Sequence, residues 1–196
     1  MGRILAVVVL TLAVLGTNAA AQGVHGSEIT GGYSYMSADG GDADRLNMNG
    51  WNTGGTIFLS DSLGIEGNFG NVWRSESITA PGLDSEVKLK SYTYVFGPRF
   101  NFGKGTRMNP FVHALLGFDR LTAETATTIG GTTTEISASD TGFATALGGG
   151  VVIGMSKHMG LNLGGDYLMS KHDVTAHNFR ISAGIVFRFG GASWGE

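Results

Sequence analysis

Apolar and polar residues alternate one by one through most of this chain, most plainly from Thr175 to Phe189. Phe179, Ile181, Ala183, Ile185, Phe187 and Phe189 take the odd positions, with Asn178, Arg180, Ser182, Gly184, Val186 and Arg188 between them. A period of two means an extended strand with one apolar face and one polar or small face. The length suits a tilted strand crossing a bilayer core, which takes roughly 9–11 residues. The same pattern predicts seven earlier strands: Glu28–Tyr35, Trp51–Leu59, Leu63–Trp73, Lys90–Phe102, Pro110–Arg120, Thr141–Ile153 and Met159–Ser170. Pro98 removes a ladder donor inside the fourth, which predicts a local bulge or a rim position there.

The segments between strands differ in length by turns. Ser37–Asn49, Arg74–Lys88 and Leu121–Asp140 read as long loops, and Lys171–Val174 as a brief one. Ser60–Ser62, Gly103–Asn109 and Gly154–His158 read as short turns. Pro81-Gly82 marks a turn within the second loop. The Thr-rich third loop, with Gly130-Gly131 at its middle, reads as a hairpin prolonging its two strands. Bacterial outer-membrane barrels show this rhythm, with short periplasmic turns and longer outside loops. The expected fold is an all-β, eight-stranded, antiparallel up-and-down transmembrane β-barrel with both termini on the periplasmic side.

A soluble eight-stranded carrier would also alternate, so the direction of the apolar face decides between the two. Eight strands enclose only enough room for side chains or one small ligand. The aromatic face, with Tyr33, Trp51, Phe69, Trp73, Tyr92, Tyr94, Phe96, Phe100 and Phe102, would overfill such a lumen, whereas the Gly-, Ala- and Ser-rich face fits it. The small face also carries Glu28, Glu66, Arg99, Asp119, Asp166, Arg180 and Arg188. An Arg facing lipid at midplane costs roughly 2–4 kcal/mol, a cost that an interior partner removes. Three pairings are expected: Glu66 opposite Arg99, Asp166 opposite Arg180, and Glu28 meeting Arg188 where the first and last strands close. Tyr35, Trp51, Trp73 and Tyr92 would form an outer aromatic rim, and Phe100, Phe102, Phe187 and Phe189 a periplasmic one.

The first residues extend this picture. One basic residue, Arg3, then the apolar run Ile4–Leu15 and an Ala19-x-Ala21 end predict a signal peptide over 1–21, cleaved after Ala21. A barrel domain over 22–189 and a short tail over 190–196 follow. No later stretch is apolar and long enough to span as a helix, so a membrane-embedded chain must close into a barrel. Of 196 residues 33 are Gly and three are Pro, and there is no Cys, which excludes thiol and Cys-zinc chemistry. Removing Arg3 leaves 12 basic against 16 acidic side chains, a net charge of −4, which gives no support to nucleic-acid binding.

Several segments resemble the outer-membrane protein A-like transmembrane domain of the small outer-membrane β-barrel family. They are Phe96-Gly-Pro-Arg-Phe100, Pro110-Phe-Val-His-Ala-Leu-Leu-Gly117, Ala146-Leu-Gly-Gly-Gly150, Asp166-Tyr-Leu168 and Asn178–Phe189. Ser182-x-Gly184-x-x-Phe187-x-Phe189 also resembles the carboxy-terminal signal that the barrel-assembly machinery reads. The chain departs from that pattern by continuing past Phe189 as Gly-Gly-Ala-Ser-Trp-Gly-Glu, a tail too short to be a peptidoglycan-binding domain. The resemblance implies a structural or surface-interaction role in the cell outer membrane: envelope integrity, adhesion, or contact with an extracellular ligand through the outside loops. Outer-membrane lipids, lipopolysaccharide and the assembly machinery are the implied partners.

Other chemistry is weighed against that reading. The inner glycines Gly54, Gly64, Gly97, Gly117, Gly148, Gly150, Gly164 and Gly184 leave a narrow pore for ions or small solutes as the alternative. An outer-membrane enzyme of the protease or lipid A acyltransferase type comes third. It would draw on His172, Asp173 and Ser139-Asp140, but loop residues of these types are ordinarily solvated. Asp39-Gly-Gly-Asp-Ala-Asp44 lacks the spacing of a calcium loop and reads as an acidic surface segment. His113 reads as hydrogen-bonded inside the polar interior, with no second ligand at a metal spacing. No catalytic residue, metal or cofactor is expected.

Overall fold

A computed structural model describes residues 25–40, 45–80, 83–103, 106–129, 132–172 and 175–190. The predicted signal segment, the centres of the longer loops and the tail from residue 191 lie outside them. Eight strands follow in chain order: β1 (Ser27–Ala38), β2 (Leu46–Phe58), β3 (Leu63–Ala80), β4 (Leu83–Asn101), β5 (Met108–Ile129), β6 (Thr132–Gly154), β7 (Met159–Lys171) and β8 (Thr175–Phe189). Each pairs antiparallel with its neighbours, and β1 pairs with β8 from Ser27↔Phe189 to Ser37↔Phe179, closing the barrel. Closure leaves no free sheet edge around the wall, which a bilayer requires.

The faces follow from the alternation. Phe96 is 66% exposed and Ile181 63%, and the other exposed large side chains of the wall, among them Leu116, Phe118, Leu147 and Phe187, share their outward direction. The polar phase points inward, and Glu28, Glu66, Arg99, Asp119, Asp166 and Arg180 are all buried. The protein is apolar outside and charged inside, the arrangement of a wall that faces lipid.

The second expected loop is a pair of strands, and the third is the strand-prolonging hairpin that its Thr-rich composition predicts. Arg74–Ala80 and Leu83–Leu89 continue β3 and β4 in register to Ala80↔Leu83, and Leu121–Ile129 and Thr132–Asp140 continue β5 and β6 to Ile129↔Thr132. β5 and β6 are therefore 22 and 23 residues long, against 12 and 13 for β1 and β2. These extensions have no partners on their flanks among the described residues. β2–β3 pairing stops at Asn49↔Trp73, and β6–β7 pairing stops at Phe143↔Lys171. Half of the barrel thus rises beyond the other half as a four-stranded sheet.

Pro98 makes no bulge. Pairing between β4 and β5 lapses after Phe96↔Leu116 and resumes at Arg99↔His113 in an unchanged register. Proline lacks the donor, but the strand runs straight past it. Its neighbour Gly97 comes so close to β5 that an added Cβ would lie 2.2 Å from the Ala114 carbonyl oxygen.

Candidate functional site: a filled lumen beneath an open sheet

The lumen holds an unbroken series of charges of alternating sign. At the short-turn end Arg188 Nε donates to Glu28 Oε1 at 3.0 Å. The other Glu28 oxygen lies 3.2 Å from Arg99 Nη2, and Arg99 Nη1 lies 3.7 Å from Glu66 Oε2. Glu66 meets His113 Nδ1 at 3.1 Å, and the opposite ring nitrogen meets Asp166 Oδ1 at 2.7 Å. Arg180 closes the series, donating from Nε to Asp166 Oδ2 at 2.8 Å. Both His113 nitrogens face carboxylate oxygens, and only the doubly protonated ring donates to both. Strands β8, β1, β4, β3, β5 and β7 all contribute, so the series ties the wall together across its inside. Gly148 makes room for it: a Cβ there would sit 2.2 Å from Asp166 Oδ1.

Two of the expected pairings are direct register partners, Glu28↔Arg188 and Asp166↔Arg180. The third is shifted. Glu66 lies opposite Gly97, and Arg99 lies opposite Gly64, in a β3–β4 register that runs to Ala80↔Leu83. The Arg99 side chain spans that offset diagonally, with its guanidinium carbon 3.9 Å from the Phe111 ring centroid. His113 is the residue on which the series turns.

Asp119 stands apart from this series, nearer the tall end. It accepts hydrogen bonds from Ser91 Oγ at 2.7 Å and Thr93 Oγ1 at 3.4 Å, and its other oxygen lies 3.5 Å from His172 Nε2. His172 Nδ1 lies 2.9 Å from Asp140 Oδ2. The structure thus joins two of the residues singled out for enzyme chemistry. Asp173 lies outside the described residues. The nearby hydroxyls are already engaged, since Ser139 Oγ accepts from Arg120 and Ser91 donates to Asp119. The described residues contain no His, Asp and Glu grouping fit to hold a metal ion.

Two apolar clusters pack with the charge series, one above it and one beside its lower end. Toward the tall end Met36, Met48, Val72, Val95, Leu115 and Leu168 meet across the lumen, and Leu115 has no exposed surface. Toward the short-turn end Phe111, Val152 and Val186 do the same. A pocket of about 20 Å³ lies beside the charges, lined by Asn52, Glu66, His113, Asn162, Asp166 and Ser182 among others. That holds a water molecule and no solute.

Above the lumen the two halves of the mouth are built differently. On the short half, side chains pin the loops: Asp39 N donates to Asn178 Oδ1 at 2.8 Å, and His177 N donates to Asp39 Oδ2 at 3.1 Å. Arg45 donates to Ser37 Oγ at 2.8 Å, to the Ser37 carbonyl at 2.6 Å and to the His177 carbonyl at 3.1 Å. Asp39 therefore has a capping task; Asp42 and Asp44 lie outside the described residues. On the tall half the backbone ladder carries the structure, supplemented by surface pairs such as Lys90–Glu124 at 2.8 Å and Lys88–Glu86 at 2.9 Å. The Glu124 carboxylate, hydrogen-bonded to the ammonium of Lys90, holds that lysine above its ordinary 10.5. Every position from Thr132 to Thr141 is exposed.

The sequence model of the outer membrane protein beta-barrel domain matches residues 6–187. Among solved structures the chain is similar to Ail, the attachment invasion locus protein of Yersinia pestis. That likeness is 22% identity over 83% of this chain and 99% of the other, with a TM-score of 0.58. Ail in complex with the heparin analogue sucrose octasulfate gives a TM-score of 0.59 at the same identity and coverage. Neisserial surface protein A aligns over 85% of this chain and 99% of its own, at 14% identity and a TM-score of 0.57. No curated protein matches the sequence. At these identities the structural likeness establishes the shared barrel fold.

Proposed function

The chain belongs to the outer membrane protein beta-barrel domain family and resides in the cell outer membrane, and from that premise we propose that it works by contact at the cell surface. The observation that carries this reading is the four-stranded sheet of β3–β6, which rises past the aromatic wall with no strand paired to either flank among the described residues. Strand extension on this scale orders a broad surface outside the membrane. The lumen argues against the pore alternative, since two apolar layers and a series of paired charges occupy it and the pocket beside those charges is water-sized. An enzyme is disfavoured because His172 sits between two carboxylates while the neighbouring hydroxyls are engaged elsewhere.

Basic residues at the outer rim support the same placement. Lys90, Arg120 and Lys171 are the first outward positions beyond Tyr92, Phe118 and Met169 on their strands. That is the level at which lipopolysaccharide phosphates would lie, and Lys and Arg are the side chains that bind phosphate. At the other rim Phe187 and Phe189 face outward and Ser182 and Gly184 inward. We assign these four to the signal for the barrel-assembly machinery. A sulfated partner of the kind seen with Ail is less favoured here, because Lys88 and Lys90 are already paired with Glu86 and Glu124.

The test trims the two tall hairpins to the height of Trp73 and Phe143 in bacteria displaying the protein. Adherence of those cells to a surface coated with extracellular matrix protein should fall to background while heat-modifiable barrel persists at unchanged amount. Undiminished adherence by the trimmed protein would overturn the reading.

A further inference from the structure

We propose that Met108, Met155 and Met159, at the short-turn rim of β5–β7, form a thioether site for a soft monovalent metal ion of the Cu(I) class. Strand register brings the three together on one face. Met155 N donates to the Met159 carbonyl at 2.9 Å, so the two methionines are neighbours across the β6–β7 turn. Met108 is the partner of Ile153, two residues before Met155, and joins them from β5 on the diagonal. All three continue the outward phase of their strands and are exposed. The backbone beneath them is held in place. Ser156 N also donates to the Met159 carbonyl at 2.9 Å, Met159 N donates to Ser156 Oγ at 3.2 Å, and Gly154 N donates to the Arg107 carbonyl at 2.7 Å.

The rest of this rim gives the cluster its meaning. Elsewhere the outward side chains are Phe100, Phe102, Phe187 and Phe189, the aromatic anchors of a membrane interface. On β5–β7 thioethers stand at that level or beyond it. Met159 is the register partner of Phe187, and Met108 lies two residues past Pro110, whose carbonyl accepts from Phe102 N. Packing at an interface asks only for apolar bulk, which Phe or Leu supplies; sulfur adds a donor atom. Thioether ligands select Cu(I), and the unbranched Met side chain lets sulfurs converge from a fixed backbone. The imidazole of His158, next to Met159 in the chain, is of a type that copper also accepts. Charge selects in the same direction. The thioethers are neutral, Arg107 and Lys157 stand in the two adjoining turns, and neither turn contains Asp or Glu. A divalent ion there meets twice the repulsion that a monovalent one does.

The experiment uses the full protein refolded into lipid nanodiscs and dialysed without oxygen against Cu(I) kept in solution by dilute acetonitrile. The protein should take up a single copper ion per chain, and X-ray absorption of the loaded protein should show sulfur neighbours around the metal. Met155→Leu and Met159→Leu keep the apolar bulk of the rim, a swap that disturbs packing little, and heat-modifiability confirms each barrel. Each should weaken uptake by at least about tenfold, the scale on which metal sites respond even to loss of an outer partner. Met108→Leu should weaken it as well. Met169→Leu, at the opposite rim, should leave uptake unchanged, and excess Zn(II) should not displace the copper. Absence of saturable uptake, or a spectrum with nitrogen and oxygen neighbours alone, overturns the proposal. So does full uptake by the Met155→Leu/Met159→Leu double variant, equal loss in Met169→Leu, or displacement by Zn(II).

Discussion

The two halves of the barrel mouth share one architecture and use it differently. On the side of β7, β8, β1 and β2 the strands stop just past the wall, and Asp39, Arg45 and Asn178 bind the ends together through backbone groups. On the side of β3–β6 the strands continue, with exposed Thr and Ser rather than clasping side chains along β6. The short half uses its polar side chains on its own strand ends, and the tall half has no strand paired to its flanks among the described residues. A side-chain-clasped half beside an unclasped one sets the two sides of the mouth apart. The lumen beneath belongs to neither half, and its charge series ties the strands of both.

That division can be broken most strongly from below. Asp166→Ala leaves Arg180 and His113 without their shared carboxylate, and breaking a buried pair of this kind costs about 3–5 kcal/mol. Urea titration followed by the gel shift of the folded barrel should show that loss, with the two halves failing together. Arg45→Ala acts on the short half alone. It removes hydrogen bonds to Ser37 and His177 and should cost about 1–3 kcal/mol locally. Amide exchange should quicken at β1–β2 and the start of β8 and stay unchanged along β5–β6; equal quickening of β5–β6 would erase the distinction between the halves.

The smallest effect belongs to the tall half. Because Glu124 raises the pKa of Lys90, the stabilisation from that pair is fully present below the ordinary 10.5 and is lost as pH rises through the raised value. Glu124→Gln should return the Lys90 ammonium toward its ordinary titration, read by side-chain NMR. Stability at neutral pH should scarcely move, since exposed pairs contribute little. An unfolding midpoint that shifts as far as that of Asp166→Ala would show the tall sheet to be part of the scaffold.

How far the sequence reveals all this depends on what surrounds each strand. β8 is legible to its ends, Thr175 and Phe189, because lipid on one side and a polar lumen on the other force strict alternation. The extension of β3 and β4 reads as a loop because no single apolar phase runs through Arg74-Ser-Glu-Ser-Ile78, whereas the β5–β6 hairpin is legible from its Thr-rich composition about Gly130-Gly131. The inner charges are legible by phase, and direct pairing follows for Asp166–Arg180 and Glu28–Arg188. The offset of Glu66 from Arg99 is legible too, since pairing across Pro81-Gly82 puts Glu66 opposite Gly97, and the length of the Arg side chain spans the two residues between. The apolar layers of Met48, Leu115 and Leu168 escape notice. They occupy inner positions, where a small polar face is expected, although their inward phase is present in the sequence. His113 could be assigned inward but not central, because its partners Glu66 and Asp166 come from two other strands.

The central claim is that everything inside the barrel is scaffold and the working surface lies outside. Planar-bilayer recording of the refolded protein addresses it most directly. The account predicts a flat baseline for both the intact and the hairpin-trimmed protein, because the apolar layers and the paired charges lie below the cut. Steady, reproducible unitary conductance from the intact protein would contradict it and move the function back into the lumen.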